Sequence, residues 1–496
     1  MHYVGHVISS DENGVFMNYR LILKLIGNML LIKAAFLVFP LLVSFVYGGD
    51  DKVAFILTIF ILIVPGAILS IVKSENKKFK IKDAFAATTI SWILFSLFGA
   101  LPFYFSGYFP SFVDCLFESV SGFATTGATI LSNIEALPKG ILFWRNFSHW
   151  IGGMGVLVFM LAVLPSMNAS SINLLRAETT GLSPDRFVPK LRETARVMYT
   201  IYLSLTVLLI VLLLISGLPF YDALLHAFST AGTGGFSNMN ASVGAYGNVG
   251  AELIITIFMF LFGINFLLYF YLIKGSFKNV VNDEELRLYA LIVLVAIGII
   301  TINLSRYYGT LLMAFRRSAF HVVSIITTTG FSTSDYNLWP VLSRVVLLLL
   351  MLSGCSAGST GGGIKLVRFL ILFKASAIEL KKMVYPKSVK AVTLNEKGID
   401  NDIITKTAVF VFIYFFIFLI SSVIVSSEGK DIFSTLTAVI ASLSNIGPGL
   451  GIVGPTGNYS EFSSLSKLVL SFCMLVGRLE IFPVLVLLYP SVWKKT

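Results

Sequence analysis

Charge is scarce in this chain. Only 13% of its 496 residues are Asp, Glu, Lys or Arg, about half the share of an ordinary soluble domain. That deficit excludes a water-soluble globule of this length, which would lack the polar surface to cover its core. Cysteine is scarcer still. Cys115, Cys355 and Cys473 show no CxxC or other metal-ligand spacing, so they read as free, buried packing residues. No HExxH motif and no pair of intramembrane aspartates occurs, and no enzymatic activity is expected. The weak alternating strands of an outer-membrane barrel are absent. The first 18 residues are polar and mixed, so no cleavable signal peptide is expected.

Apolar sequence is what the chain has instead. Hydrophobic residues make up 56%, and the mean hydropathy is +0.86. Runs of about 18 or more apolar residues recur from end to end, which predicts an all-α polytopic membrane protein. The net charge of +11 does not point to nucleic acid. Its basic residues gather in alternate loops, as the positive-inside bias predicts.

The first two apolar segments, 21–47 and 53–72, flank an outer turn at Gly48-Gly49-Asp50-Asp51. Lys24 and Lys33 place the start of the first on the cytoplasmic side, with lysines snorkelling toward the headgroups. The basic stretch 73–82 is cytoplasmic. A larger unit then runs four times: a spanning helix, a short apolar segment, a Gly-ended loop and a second spanning helix. The first unit uses 84–105, 112–123 and 143–164; the second uses 197–215, 221–229 and 252–273. The third uses 286–304, 311–326 and 339–373; the fourth uses 404–425, 432–443 and 463–488. The chain therefore divides into an N-terminal tail and helix pair (1–82) and four units, 83–190, 191–280, 281–395 and 396–496. Basic intervals at 176–196, 274–287 and 374–397 all fall on the inner side. Ten spans put both termini there, with Trp493-Lys494-Lys495 as an anchor; Arg316 and Arg317 are outer-side exceptions.

The loops are Thr125-Thr126-Gly127, Thr233-Gly234-Gly235, Thr328-Thr329-Gly330 and Asn445-Ile446-Gly447. They recur at intervals of roughly a hundred residues, the mark of an internal array. Placing the four glycines on one another aligns Ser121, Ser229, Ser324 and Ala441 six positions earlier. Nine positions earlier stand Glu118, His226, His321 and Ala438; thirteen earlier stand Asp114, Asp222, Arg317 and Ser434. The segments before the glycines are too short to span a bilayer of about 30 Å. They fit re-entrant half-helices, whose loops are tolerated at membrane depth only when buried or lining a water-filled path. Four such loops predict one ion-selectivity filter. Rings of backbone carbonyls replace a cation's hydration shell, glycine permits the φ/ψ this needs, and half-helix dipoles favour a cation. No acidic ring is present, which argues against divalent selectivity.

These motifs resemble those of the Trk/Ktr/HKT superfamily of potassium transporters, and within it the Trk-H type, over nearly the whole chain. The resemblance rests on Thr125-Thr-Gly-Ala-Thr129, Ala231-Gly-Thr-Gly-Gly-Phe-Ser237, Thr327-Thr-Thr-Gly-Phe-Ser-Thr-Ser-Asp335 and Ser444-Asn-Ile-Gly-Pro448. The leading helix pair is similar to the extra N-terminal unit of that type. The resemblance implies ion sites on the two residues before each glycine, with only a carbonyl contribution at Ile446. It also implies potassium selectivity, since serine at the first glycine goes with sodium transport and this chain has Gly127.

The third unit's returning helix is interrupted by five glycines, Gly354, Gly358, Gly361, Gly362 and Gly363, followed by Lys365. Each glycine costs a helix interior about 1 kcal/mol relative to alanine. The residues alone allow a packing kink or a flexible loop that blocks a pore; the resemblance implies a gate. Arg478 lies within the last apolar segment, where an arginine faces a partner or a cavity or snorkels to the interface. Glu480 is poorly placed to pair with it, and a pore-loop carbonyl is the better partner. The resemblance implies an electrostatic barrier beneath the filter. Glu118, His226 and His321 are expected to brace the backs of the loops. Asp335 is either an outer cation attractor or a solvated loop residue. His149 lacks a second metal ligand, and Gly152-Gly153-Met154-Gly155 is expected to allow close helix packing and nothing more.

The expectation is a potassium uptake protein of the cytoplasmic (inner) membrane, with K⁺ as transported ion and no organic cofactor. The rival is an H⁺- or Na⁺-coupled potassium symporter working by alternating access. The resemblance implies a homodimer docked on a ring of soluble nucleotide-binding subunits of the TrkA type. No nucleotide motif lies in this chain.

Overall fold

The computed structural model describes residues 18–72, 81–155, 191–387 and 390–490. Among them every element is helical except one small hairpin, β1 (Thr393–Leu394) against β2 (Lys397–Gly398). The N-terminal unit is α1 (Tyr19–Phe36), α2 (Val38–Tyr47) and α3 (Lys52–Ser70). Helices α1 and α2 form one span, interrupted at Leu37 because Pro40 cannot donate to, and sterically opposes, the carbonyl one turn earlier. Pro102 acts the same way between α4 (Ile81–Gly99) and α5 (Leu101–Ser106).

The half-helices α6 (Phe112–Phe123), α9 (Phe220–Ala231), α14 (Leu311–Ile326) and α18 (Ile432–Leu443) stand where the periodicity puts them. Between them run α7 (Lys139–Gly153), α8 (Leu191–Ile215), α10 (Val249–Phe262), α11 (Phe266–Ile273), α12 (Phe277–Val281) and α13 (Glu284–Tyr308). The third unit returns through α15 (Val341–Leu352) and α16 (Leu366–Val384), and the fourth comprises α17 (Asn401–Ser426), α18, α19 (Ser464–Arg478) and α20 (Phe482–Leu488).

Two of the ten expected spans are bent rather than straight. Among the described residues, six helical stretches are long and apolar enough to cross a membrane, and two further spans are bent pairs. The segment expected at 252–273 bends by 92° between α10 and α11, and that at 463–488 by 117° between α19 and α20. The first bend follows from Gly263 ending one helix and Asn265 capping the next by accepting from the Leu267 N–H at 2.9 Å. The second places Glu480 and Ile481 at φ 54° and 63°, a genuine outlier for a β-branched residue. The segment expected at 143–164 begins as α7, and its part beyond residue 155 lies outside the described residues, as do most of the basic intervals 73–82 and 176–196 and the Trp493-Lys494-Lys495 anchor.

The outer faces of α13 and α17 expose Leu291, Leu294, Ile302, Phe412, Leu419 and Val423, the apolar surface a lipid-facing helix needs. Inside, the half-helices are sheathed by the long helices, and both large hydrophobic clusters border them. Lys33 departs from expectation. It does not snorkel: its side chain is 0% exposed, bonded through Nζ to the Phe95 carbonyl. Its ammonium lies 4.4 Å and 4.8 Å from the ring centroids of Phe95 and Phe123. These aromatic faces compensate the buried charge and pin α1 against the end of α6.

Candidate functional site

Each half-helix ends in the same way. The residue two before the glycine has a left-handed backbone: Thr125 φ 53°, Thr233 φ 51°, Thr328 φ 58°, Asn445 φ 57°. Its N–H bonds back to the residue three earlier, and the next N–H bonds to the residue five earlier. In the first copy these are Thr125 N to Gly122 O at 3.1 Å and Thr126 N to Ser121 O at 2.8 Å. The second bond repeats as Gly234 to Ser229, Thr329 to Ser324 and Ile446 to Ala441. This is a Schellman C-cap, and the residue six positions before each glycine supplies the carbonyl that receives the bond. The left-handed position normally takes glycine; threonine there stores about 1–3 kcal/mol of backbone strain per site. Strain repeated at equivalent points of four loops marks a shared task.

The glycines that follow are also left-handed: Gly127 φ 82°, Gly235 φ 77°, Gly330 φ 78° and Gly447 φ 91°. Their neighbours form a closed cycle. A Cβ on Gly127 would strike the Gly234 carbonyl oxygen, one on Gly235 that of Thr329, one on Gly330 that of Ile446, and one on Gly447 that of Thr126. One carbonyl per loop therefore sits against the glycine of the next, around a complete circuit. On one side of this ring the four glycines line a single open cavity.

The polar residues of the half-helices brace the loops from behind. Glu118 accepts from Thr129 Oγ1 at 2.9 Å and from the Ile130 N–H at 3.1 Å. His226 Nε2 meets Ser237 Oγ at 3.0 Å, and His321 Nε2 meets the Ser334 carbonyl at 3.1 Å. In the fourth loop, where Ala438 has no polar group, Thr437 Oγ1 accepts from the Leu450 N–H at 2.9 Å. The positions thirteen before the glycine also act: Asp222 accepts from Asn238, Arg317 donates to the Thr333 carbonyl, and Ser434 accepts from the Ile452 N–H. Asp114 instead pairs with Lys467 at 2.6 Å. Arg316 and Arg317 lie 3.5 Å and 3.6 Å from Glu252. Asp335 caps the short turn at Asn337, accepting from its N–H at 2.9 Å.

Arg145 carries weight that sequence reasoning gave to no residue. It is 1% exposed, pairs with Glu118 at 2.6 Å, donates to the Ser237 carbonyl at 2.8 Å, and stacks 3.5 Å from the Phe236 ring centroid. It thus ties the first loop to the second. Removing one partner of such a buried pair costs about 3–5 kcal/mol. A charged residue beside Asn146 within an otherwise apolar segment was the available signal.

On the ring's other side lie Arg478 and the glycine run. Arg478, 9% exposed, donates through Nη1 to Thr125 Oγ1 at 3.2 Å and to the Thr360 carbonyl at 2.8 Å. Its Nη2 donates to the Gly153 carbonyl at 2.8 Å and also to that of Gly152. Gly152 and Gly153 therefore do more than allow close packing, because the carbonyls at the end of α7 hold the guanidinium. Glu480 pairs elsewhere, with Arg368.

The glycine run forms an irregular loop between α15 and α16. It is closed at its neck by the Gly354 N–H donating to the Ile364 carbonyl at 2.8 Å, and crossed by Lys365 Nζ donating to the Gly361 carbonyl. Gly358 and Gly363 are both at φ 70°. The Gly362 N–H donates to Thr328 Oγ1 at 2.8 Å, and a Cβ at Gly362 would strike the Ser444 carbonyl and Asn445. Thr125 thus abuts Arg478, and Thr328 and Asn445 abut the glycine run, while the ring glycines face the cavity. Residues 354–358 also spell G-x-S-x-G, but on a loop between membrane helices and not on the strand-to-helix elbow a hydrolase requires. No group of His, Cys, Asp or Glu among the described residues is arranged to hold a metal, and all three cysteines are buried and free.

A family model described as "TrkH: Cation transport protein" matches residues 51–495. The chain is 36% identical over 486 residues to the Trk system potassium uptake protein TrkH of Salmonella typhimurium, covering 97% of this chain and 100% of that one. It is 31% identical over 483 residues to TrkG of Escherichia coli K12, covering 96% and 99%. The crystal structure of the potassium transporter TrkH from Vibrio parahaemolyticus superposes with a TM-score of 0.87 at 33% identity, covering 96% of this chain and 100% of that one.

Proposed function

The chain belongs to the TrkH family of cation transport proteins, and from that premise we propose that it carries potassium ions into the cell across the cytoplasmic membrane. The closed cycle of four loops carries the reading. The carbonyls of Thr126, Gly234, Thr329 and Ile446, with those of the preceding Thr125, Thr233, Thr328 and Asn445, replace the water that a potassium ion sheds. The half-helix C-termini add partial negative charge at the same point. Below them Arg478 and the loop Gly354–Lys365 close the path. The N-terminal helix pair is a buttress, and the four pore units follow it, with both termini on the inner side. The family resemblance implies that a second copy of the chain and a ring of TrkA-type nucleotide-binding subunits complete the assembly, and nucleotide regulation would come from that ring.

Purified protein in vesicles tests this. K⁺ and Rb⁺ are expected to pass at least about tenfold faster than Na⁺ and Li⁺, because a fixed carbonyl ring compensates the dehydration of only the larger ions. Equal Na⁺ flux would refute the filter. The current is expected to reverse at the potassium equilibrium potential whatever the pH gradient; a reversal potential that follows the pH gradient would favour the coupled symporter.

A further inference from the structure

Three consecutive acids open α13, and they face two different parts of the molecule. Glu285 is 6% exposed. Its Oε1 accepts from the backbone N–H of Ala357 at 2.8 Å and from that of Val367 at 3.0 Å. Those two amides lie on either side of the last four glycines of the run. Ala357 immediately precedes Gly358, and Val367 is the second residue of α16, whose first-turn amides have no acceptor within their own helix. One carboxylate oxygen thus caps the helix that leaves the loop and holds the strand of chain that enters it. Asp283 and Glu284 face the β1–β2 hairpin. Asp283 Oδ2 accepts from Asn395 Nδ2 at 2.8 Å, Glu284 Oε1 accepts from the Asn395 N–H at 3.2 Å, and the Glu284 N–H donates to Asn395 Oδ1 at 2.9 Å. Lys374, on α16, pairs with Glu284 and donates to the Thr393 carbonyl at 2.9 Å. The hairpin turn is itself tight, with Asn395 and Glu396 at φ 49° and 65°, the double left-handed geometry of a two-residue hairpin turn.

We propose that Glu285 is the positioning residue of the gate loop, and that Asp283-Glu284-Glu285 links the β1–β2 hairpin to that loop. A load on the hairpin from the inner face then reaches both sides of Gly358–Gly363 through a single turn of helix. The proposal rests on the reading of Gly354–Lys365 as the gate. It accounts for a hairpin whose turn residue is held by three bonds to the same two acids, next to the acid that holds the loop. A rigid link of this kind couples two sites only if the loop has two arrangements that the link biases.

Reconstituted full-length protein provides the test, with Rb⁺ flux and backbone amide exchange across residues 353–367 as paired readouts. Glu285→Ala is expected to raise flux by about tenfold, since charge-assisted bonds at both ends of the loop are lost, and to speed exchange at Ala357 and Val367. Glu285→Gln keeps an oxygen acceptor and is expected to stay near the parent. Lys374→Ala is expected to raise flux in the parent and to add nothing in the Glu285→Ala background. Parental flux and exchange in Glu285→Ala would overturn the proposal, as would a Lys374→Ala effect that adds in full to it. Deleting Gly358–Gly363 separates two ways of failing. Parental flux in the deletion sinks the gate reading and the proposal with it, whereas raised flux there beside parental flux in Glu285→Ala sinks the proposal alone.

Discussion

Gly235→Ala is expected to lower potassium flux by at least about a hundredfold, the consequence of losing about 3 kcal/mol of ion stabilisation at the ring. Two penalties coincide at this residue. The backbone sits at φ 77°, which costs an L-residue about 1–2 kcal/mol. The added Cβ also lands on the Thr329 carbonyl oxygen, which must move off the ring. Strain and collision can be told apart. Gly107 has φ 74° with nothing within 4 Å of a built Cβ, so Gly107→Ala carries the same strain without the collision and is expected to leave flux and ion preference unchanged. Flux in vesicles normalised to inserted protein is the readout. If Gly235→Ala and Gly107→Ala behave alike, carbonyl placement is not what the glycine protects.

Arg478→Ala is expected to act in the opposite direction and raise basal flux by ten- to a hundredfold. A fixed positive charge about 4 Å from a passing cation opposes it by about 4 kcal/mol at the effective dielectric of a partly hydrated site. The same side chain ties the first loop, the glycine run and the end of α7 together through the Thr125 hydroxyl and the Thr360, Gly152 and Gly153 carbonyls. Arg478→Lys separates the two contributions. It keeps the charge but loses the planar fork that spans several acceptors at once, so its flux is expected to fall between parent and alanine variant. Unchanged or lower flux in a folded, membrane-inserted Arg478→Ala would count against a barrier role.

Much of the fold was legible because its signals are local. The half-helices stand out as apolar runs too short to span, and aligning the four glycines recovered two polar positions that each brace the loops in three copies. The left-handed geometry at Gly127, Gly235, Gly330 and Gly447 is one that their residue type permits. The same geometry at Thr125, Thr233 and Thr328 is one that threonine ordinarily argues against; there the Schellman cap and the neighbouring loops override the residue's preference. Long-range pairs were the other loss. Nothing near Arg145 announces Ser237, and nothing near Lys33 announces the Phe95 carbonyl, because both partners come from segments distant in sequence. The bend at Gly263–Asn265 had a readable stop-and-cap signal. The one at Glu480–Ile481 had only Pro483, which opens α20.

The central claim is that the four loops make one ion site. Crystals grown in Rb⁺ test it most directly, through anomalous scattering. The account predicts a peak on the axis of the ring, about 3 Å from the carbonyl oxygens of Thr126, Gly234, Thr329 and Ile446, and its loss in Gly235→Ala. Rb⁺ bound elsewhere in the protein, with no peak inside the ring, would contradict it.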